Sequence, residues 1–150
     1  MDSTKKPHIQ FLIAGVTTEQ FSIDPADFST DEEIEFSLNF NFKQAENDDM
    51  IGVFLTIELM QNQKQLVLLE VACHFKIHPE TWRQVILRND GSLKLPLTFA
   101  LHMATLTTGT GRGVLHARLS GTPFANYVLP AINLTEVINA DVELRSANQS

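Results

Sequence analysis

The chain has 150 residues, 43% of them apolar, with 18 acidic against 11 basic side chains and a net charge of −7. That is enough apolar material for one domain with a real core, and too little clustered Lys or Arg for nucleic acid or an anionic membrane surface to be the main partner. The single cysteine, Cys73, excludes an internal disulfide and a multi-cysteine zinc site, and a lone thiol suits a reducing compartment.

Lys5 and Lys6 are the one adjacent basic pair, and two charges make no footprint. The apolar run in MDSTKKPHIQFLIAGV is about six residues, too short for a secretory signal, and nothing nears the roughly 20 apolar residues of a membrane span. A cytoplasmic location without membrane insertion is therefore expected. The glycosylation sequons at Asn133 and Asn148 read as chance on that expectation.

In chain order, Ile9, Phe11, Ile13, Phe21 and Ile23 share one parity. The stretch IEFSLNFNF puts Ile34, Phe36, Leu38, Phe40 and Phe42 on one side and Glu35, Ser37, Asn39 and Asn41 on the other, as a strand with one buried and one wet face would. After the polar turn KQAENDD, Ile51, Val53, Leu55, Ile57 and Leu59 alternate. After QNQKQ, Val67, Leu69, Val71, Cys73, Phe75 and Ile77 do the same. Short polar links predict an antiparallel meander.

Pro79 is placed to open a short helix carrying Trp82, Val85 and Ile86, RNDGS is a loop, and Pro96 opens a second helix. Leu97, Leu101, Ala104, Thr108, Gly111, Leu115 and Leu119 recur at spacings of three and four, and the helix stops at Gly121 to Pro123. VLPAINLTEVI reads as an extended link into a terminal apolar turn, and the tail from residue 141 as frayed. The predicted class is α+β, a four-stranded antiparallel sheet with helices packed on one face. It forms a single domain over 1–150 with an ordered core from about residue 8 to 140.

The stretch TTGTGRGVLHARLSGTPF sets three glycines beside an arginine. It has no lysine and fits neither phosphate-loop spacing, and the helical periodicity runs through it. Glycine inside a helix costs roughly 1 kcal/mol against alanine, so Gly109, Gly111 and Gly113 point to a place where another backbone comes close. Arg112 is expected to pair with an acid or cap a carbonyl. His74 and His78 lie roughly 13 Å apart on an ideal strand, too far to share a zinc. His102 and His116 stand about four helical turns apart, and His8 is isolated, so no metal is expected. Cys73 has the parity of a core thiol, Ser120 has no motif around it, and the carboxylate pairs Asp48–Asp49 and Glu32–Glu33 read as solvated. No catalytic site is expected and no cofactor is implied.

The apolar pattern is in excess. Phe99, Met103 and Leu106 lie off the main helix stripe, and Leu12, Val16, Phe54, Leu66 and Leu68 lie on the minor strand parity. One small domain struggles to bury all of them, and exposed apolar patches mark protein partners or binding grooves.

Three stretches together resemble a SecB-type protein-export chaperone: FLIAGVTTEQFSIDP (Phe11 to Pro25), IGVFLTIELMQNQKQLVLLEVACHFKI (Ile51 to Ile77) and GRGVLHARLSGTPFANYVLPAINLTEVI (Gly111 to Ile138). They cover roughly half the chain, and the specificity lies in their order and spacing. The resemblance implies a four-stranded antiparallel sheet with helices on one face. It implies a homotetramer, a dimer of dimers, with the long helices packed between dimers at Thr108, Gly109, Gly111, Arg112 and Leu115. It implies ATP-independent binding of unfolded polypeptides in apolar grooves, with Phe28, Phe124, Tyr127 and Leu129 as lining candidates, residues that read equally as core. It further implies delivery to the Sec translocase motor ATPase through Asp24, Leu68 and Glu70. Gln20 stands where the family has an acid, and the tail after Ile138 holds only Asp141 and Glu143 as acids. Those departures favour a second reading, an oligomer devoted to one client, such as a toxin–antitoxin pair, or a scaffold. A small hydrolase or nucleotide binder assembled from scattered residues is the third, testable by nucleotide protection in a thermal-shift screen.

Overall fold

Four long strands carry the fold: β1 (Phe11–Ile23), β2 (Glu35–Gln44), β3 (Met50–Gln61) and β4 (Lys64–Ile77). The structure, a computed structural model, describes residues 10–45 and 49–146, with the side chains of 145 and 146 excepted. Ile9, His8, the Lys5–Lys6 pair, Asp48 and Asn148 lie outside the described residues.

β2, β3 and β4 form the antiparallel meander that their alternation predicts. The β3–β4 link is a tight turn through Asn62 and Gln63, at φ 53° and 64°. Two successive left-handed residues give the backbone twist that a two-residue hairpin needs. β1 departs from the predicted meander. It pairs with β4, and the four long strands lie in the order β1-β4-β3-β2. From β1 to β2 is three strand spacings, about 14 Å, which residues 24–34 span across one end of the sheet. A polar link of that length is compatible with either topology, which is why pattern alone selected the simpler one.

Register explains two of the apolar residues on the minor parity. β1 slips against β4 between Ile13 and Gly15 and again between Thr18 and Gln20. Each slip flips the alternation, so Val16 falls opposite Cys73 on the core side while Phe11, Ile13, Phe21 and Ile23 keep theirs. A slip between Leu59 and Met60 likewise accompanies the burial of Leu66. Phe54 stays on the outer face, edge-on to His74 at 5.9 Å between ring centres and 4.7 Å beneath the Lys43 ammonium. Gly52 makes room for it, since a Cβ there would stand 2.8 Å from the Phe54 ring.

Beyond β4 the chain makes a short helix α1 (Pro79–Thr81), a π turn Trp82–Ile86, strand β5 (Leu93–Leu95) and the long helix α2 (Leu97–Leu119). α2 lies across the inner face of β3 and β4, burying Ala104, Thr108, Gly111, Leu115 and Leu119 as the spacing predicts, together with Ala100, Met103 and Thr107. The buried hydroxyls of Thr107 and Thr108 donate to the carbonyls of Met103 and Ala104, so they cost little. α2 ends in Gly121 at φ 76°, a left-handed C-terminal stop.

The tail corrects an expectation. Val142–Ser146 form strand β6, antiparallel to β5 and parallel to β2 at Lys43 and Gln44. Leu144 is buried, and the Asp141 carboxylate accepts the Leu97 N–H at 2.8 Å, capping a helix whose own Pro96 cannot. Two contiguous core clusters result. One gathers around Phe75, Ile77, Ile86 and Met103 under β5 and β6. The other gathers around Leu55, Leu69, Leu115 and Phe124 under the irregular segments 24–34 and 121–133.

Candidate functional site

The irregular end of the molecule holds two adjoining clefts. The first wall is the link 24–34, fixed from the end of β3. Buried Gln61 accepts the Ser29 N–H at 2.9 Å and donates to the carbonyls of Ser29 at 2.8 Å and Glu32 at 3.1 Å. Lys64 adds ion pairs to Asp24 at 3.6 Å and Asp27 at 3.5 Å. The second wall is the exit of α2. Thr122 turns the chain through bonds to Leu119 and Phe124, and Phe124 then packs its ring 4.7 Å from that of Phe28. The two walls therefore meet through an aromatic pair, each ring contributed by a segment without regular structure.

The first cleft, ≈ 490 Å³, is lined by Phe28, Thr30, Glu32, Ile34, Pro123, Phe124, Asn126, Tyr127 and Val128. The second, ≈ 460 Å³, runs beside α2 and is lined by Gly109, Arg112, Gly113, Leu115, His116, Tyr127, Val128 and Leu129. Tyr127 and Val128 belong to both. Val128 is 68% exposed. Burial pushes the Tyr127 phenol above its ordinary value. Arg112 caps carbonyls, one of the two roles its sequence context predicts. Its Nε donates to Leu129 O at 3.1 Å and its Nη2 to Pro130 O at 2.9 Å. Beside the first cleft, among the described residues, no strand pairs with the outer edge of β2 between Glu35 and Phe42.

The candidate client residues come together here. Phe28, Phe124 and Tyr127 line the first cleft, and Tyr127 and Leu129 the second. Phe124 and Leu129 are also almost wholly buried, so each is core on one side and cleft wall on the other. Sequence reasoning missed Ile34, Pro123 and Val128. The signal for Val128 in the sequence is the run Tyr127, Val128, Leu129 shortly after the helix stop, three apolar residues in succession that one buried face cannot all take.

The candidate interface residues divide. Thr108, Gly111 and Leu115 face the chain's own sheet. A Cβ on Gly111 would meet Leu55 Cδ2 at 3.1 Å, Ile57 Cδ1 at 3.2 Å and Val71 Cγ2 at 3.4 Å. The close approach that this glycine signalled is therefore helix to sheet within one chain. Gly109 and Gly113 have nothing within 4 Å of an added Cβ, and with Arg112 they lie toward the outside of α2. Of the candidate motor residues, Leu68 and Glu70 lie on the outer face of β4, opposite Ser22 and Gln20, and Thr56 donates to the Glu70 carboxylate at 3.2 Å. Asp24 lies just beyond β1, paired with Lys64. Leu12, Ile13 and Val16 on the edge strand β1 are 52%, 45% and 48% exposed.

Among the described residues no three His, Cys, Asp or Glu side chains gather to hold a metal, and no helix is long and apolar enough to cross a membrane. Cys73 is buried in the core. His74 bonds to Thr17 at 3.1 Å, and His78 caps α1.

No protein-family model and no curated protein matches the chain. Among solved structures it is similar to the SecB-like chaperone Rv1957 of Mycobacterium tuberculosis, solved in complex with a ChAD peptide from the HigA1 antitoxin. The identity is 14%, the likeness covers 83% of this chain and 91% of that one, and the TM-score is 0.52. The fold of this chain is accordingly SecB-like.

Proposed function

We propose that this protein is a polypeptide-binding chaperone, a holdase and not an enzyme, which takes up unfolded segments without ATP. The observation that carries this reading is the juxtaposition of two clefts with aromatic and aliphatic walls and polar rims, joined at Tyr127 and Val128, with a strand edge on β2 that is unpaired among the described residues. An extended segment can add to that edge through main-chain hydrogen bonds, which are blind to sequence, while alternate side chains enter the clefts. Client apolar area would be buried at about 25 cal/mol per Å², opposed by the cost of ordering the segment. Phe28, Phe124, Tyr127 and Leu129 are the anchors of this site.

The active form on this reading is a cytoplasmic homo-oligomer, a tetramer. Leu12, Ile13 and Val16 on β1, an edge strand among the described residues, are the surface offered to further copies. Hand-over to the translocase motor ATPase would use Asp24, Leu68 and Glu70. A second reading, a chaperone for one dedicated client, is favoured by Gln20, which sits opposite Glu70 where an acid would strengthen a motor-binding face. The SecB-like neighbour was solved with an antitoxin peptide bound, which supports a polypeptide client on either reading.

The deciding experiment is fluorescence anisotropy of a labelled unfolded polypeptide titrated with the protein, beside the same polypeptide folded. Binding of the unfolded form alone is expected. Binding of neither by a stable oligomer would end the general chaperone reading and leave the dedicated client. Pull-down of the purified motor ATPase then separates the export role from the dedicated one.

A further inference from the structure

The connector from Val128 to Ile132 begins in the cleft wall, with Val128 lining both clefts and Leu129 the second, yet among the described residues it makes no backbone hydrogen bond to the rest of the chain. Pro130 has no N–H to give. Among the described residues its polar attachment is the Arg112 guanidinium, which reaches out of α2 and holds two consecutive carbonyls, Leu129 O at 3.1 Å and Pro130 O at 2.9 Å. Such a fork is charge-assisted and fixes orientation as well as distance. The remaining hold is apolar, through Leu129 and Ile132 against the cluster below. On either side the chain is anchored: Tyr127 N–H bonds Phe124 O at 3.0 Å, and the Asn133 carboxamide accepts the Thr135 N–H at 3.1 Å.

We infer that Arg112 is a positioning residue, the latch that keeps the connector against α2 as the shared wall of the two clefts and thereby sets how long a bound segment stays. This rests on the reading of the clefts as the client site. The opposite wall is fixed by Gln61, which is buried with all three bonds made and cannot let go without disrupting the hairpin end. Arg112 is part-exposed, so its two bonds can be exchanged for water while the core stays intact. Freed between its anchors, the connector carries Val128 away from α2, and both clefts lose part of the wall they share.

The test compares the parent with Arg112→Ala and Arg112→Lys in three measurements. These are the thermal midpoint, the rate of chymotryptic nicking after Tyr127, and the dissociation rate of a labelled unfolded polypeptide. Arg112→Ala is expected to be nicked, and to release the polypeptide, about tenfold faster, the effect of losing charge-assisted bonds worth a little over one decade. Its midpoint is expected to stay near the parent's. Lysine, a point charge that reaches one carbonyl at a time, should fall between. Parental nicking in Arg112→Ala overturns the latch. Faster nicking with unchanged release overturns its role in the groove. Equal acceleration in both variants alongside a large fall in midpoint marks a merely structural residue and overturns it too. Should Arg112→Ala not fold, Arg112→Lys carries the same comparison. If the parent binds no unfolded polypeptide, the chaperone reading fails, while the nicking rates still decide the latch.

Discussion

The same helix and the same sheet are closed in two different ways at their two ends. Around Phe75 and Ile77, short regular pieces finish the job: α1 and its π turn, β5, β6 and the 3₁₀ turn Leu134–Glu136 lie over the sheet, and the cluster beneath includes Trp82, Ile86, Leu95 and Leu144. Around Leu69 and Leu115, two irregular segments do the covering, tied down from regular elements by Gln61 and Arg112. Regular pieces satisfy their own backbone and can pack flush. Irregular ones depend on borrowed side-chain partners and leave space beside them. The clefts lie where closure depends on a few side chains, and that is where a guest segment can replace part of the wall.

The strongest way to break this contrast is truncation at each end. Phe75→Ala removes a fully buried ring, and a cost of about 3–5 kcal/mol is expected in denaturant unfolding, with client affinity unchanged for the folded fraction. Phe124→Ala is expected at the lower end of that range, because water from the adjoining cleft can enter the gap. It should also weaken client binding. Equal costs with unaltered binding would mean that the irregular end is as tightly closed as the other.

The trans cap sharpens the comparison at a smaller scale. Asp141→Ala removes the acceptor for Leu97 N–H, and a loss of about 1 kcal/mol is expected, read as a lower unfolding midpoint. It should leave the nicking rate at Tyr127 alone, since it acts at the other end of α2. Smaller still are the glycines. Gly109→Ala should stabilise by about 0.5–1 kcal/mol through helix propensity in the isolated chain. Gly111→Ala should gain nothing, because the new methyl group presses on Leu55 and Ile57. Size-exclusion chromatography of Gly109→Ala adds a test of assembly. A shift to smaller species would place Gly109 at a subunit contact.

Much of this was legible in the sequence because burial on one face forces a period. The strict alternation of β2, β3 and β4 and the three-and-four spacing from Ala104 to Leu119 gave the elements and their buried sides. The position of β1 was not legible, since long polar links permit several strand orders and the two register slips disguise Val16. β6 is indistinguishable from a frayed tail in the sequence, because a five-residue strand joining two partners carries little pattern beyond Val142 and Leu144. At the site, the aromatic anchors could be named. The latch could not be placed, because a helical arginine that caps carbonyls 17 and 18 residues further along the chain leaves no local signature.

The smallest effect concerns Tyr127, and it reports on the clefts directly because it is the only tyrosine in the chain. Burial disfavours the phenolate, so its folded value lies above the ordinary one, about 10. A group with a raised folded value contributes stability that is fully present below the unfolded value and is lost as pH rises through the folded one. The cleft wall is therefore expected to hold to about pH 10 and to loosen above it, with tyrosinate absorbance and nicking after Tyr127 rising together. A bound polypeptide that fills the clefts buries the ring further and should move the titration higher still. In Arg112→Ala, where the wall swings out, it should fall back toward the ordinary value. A titration at the ordinary value in the parent, unmoved by client, would place Tyr127 in open water and remove it from the site.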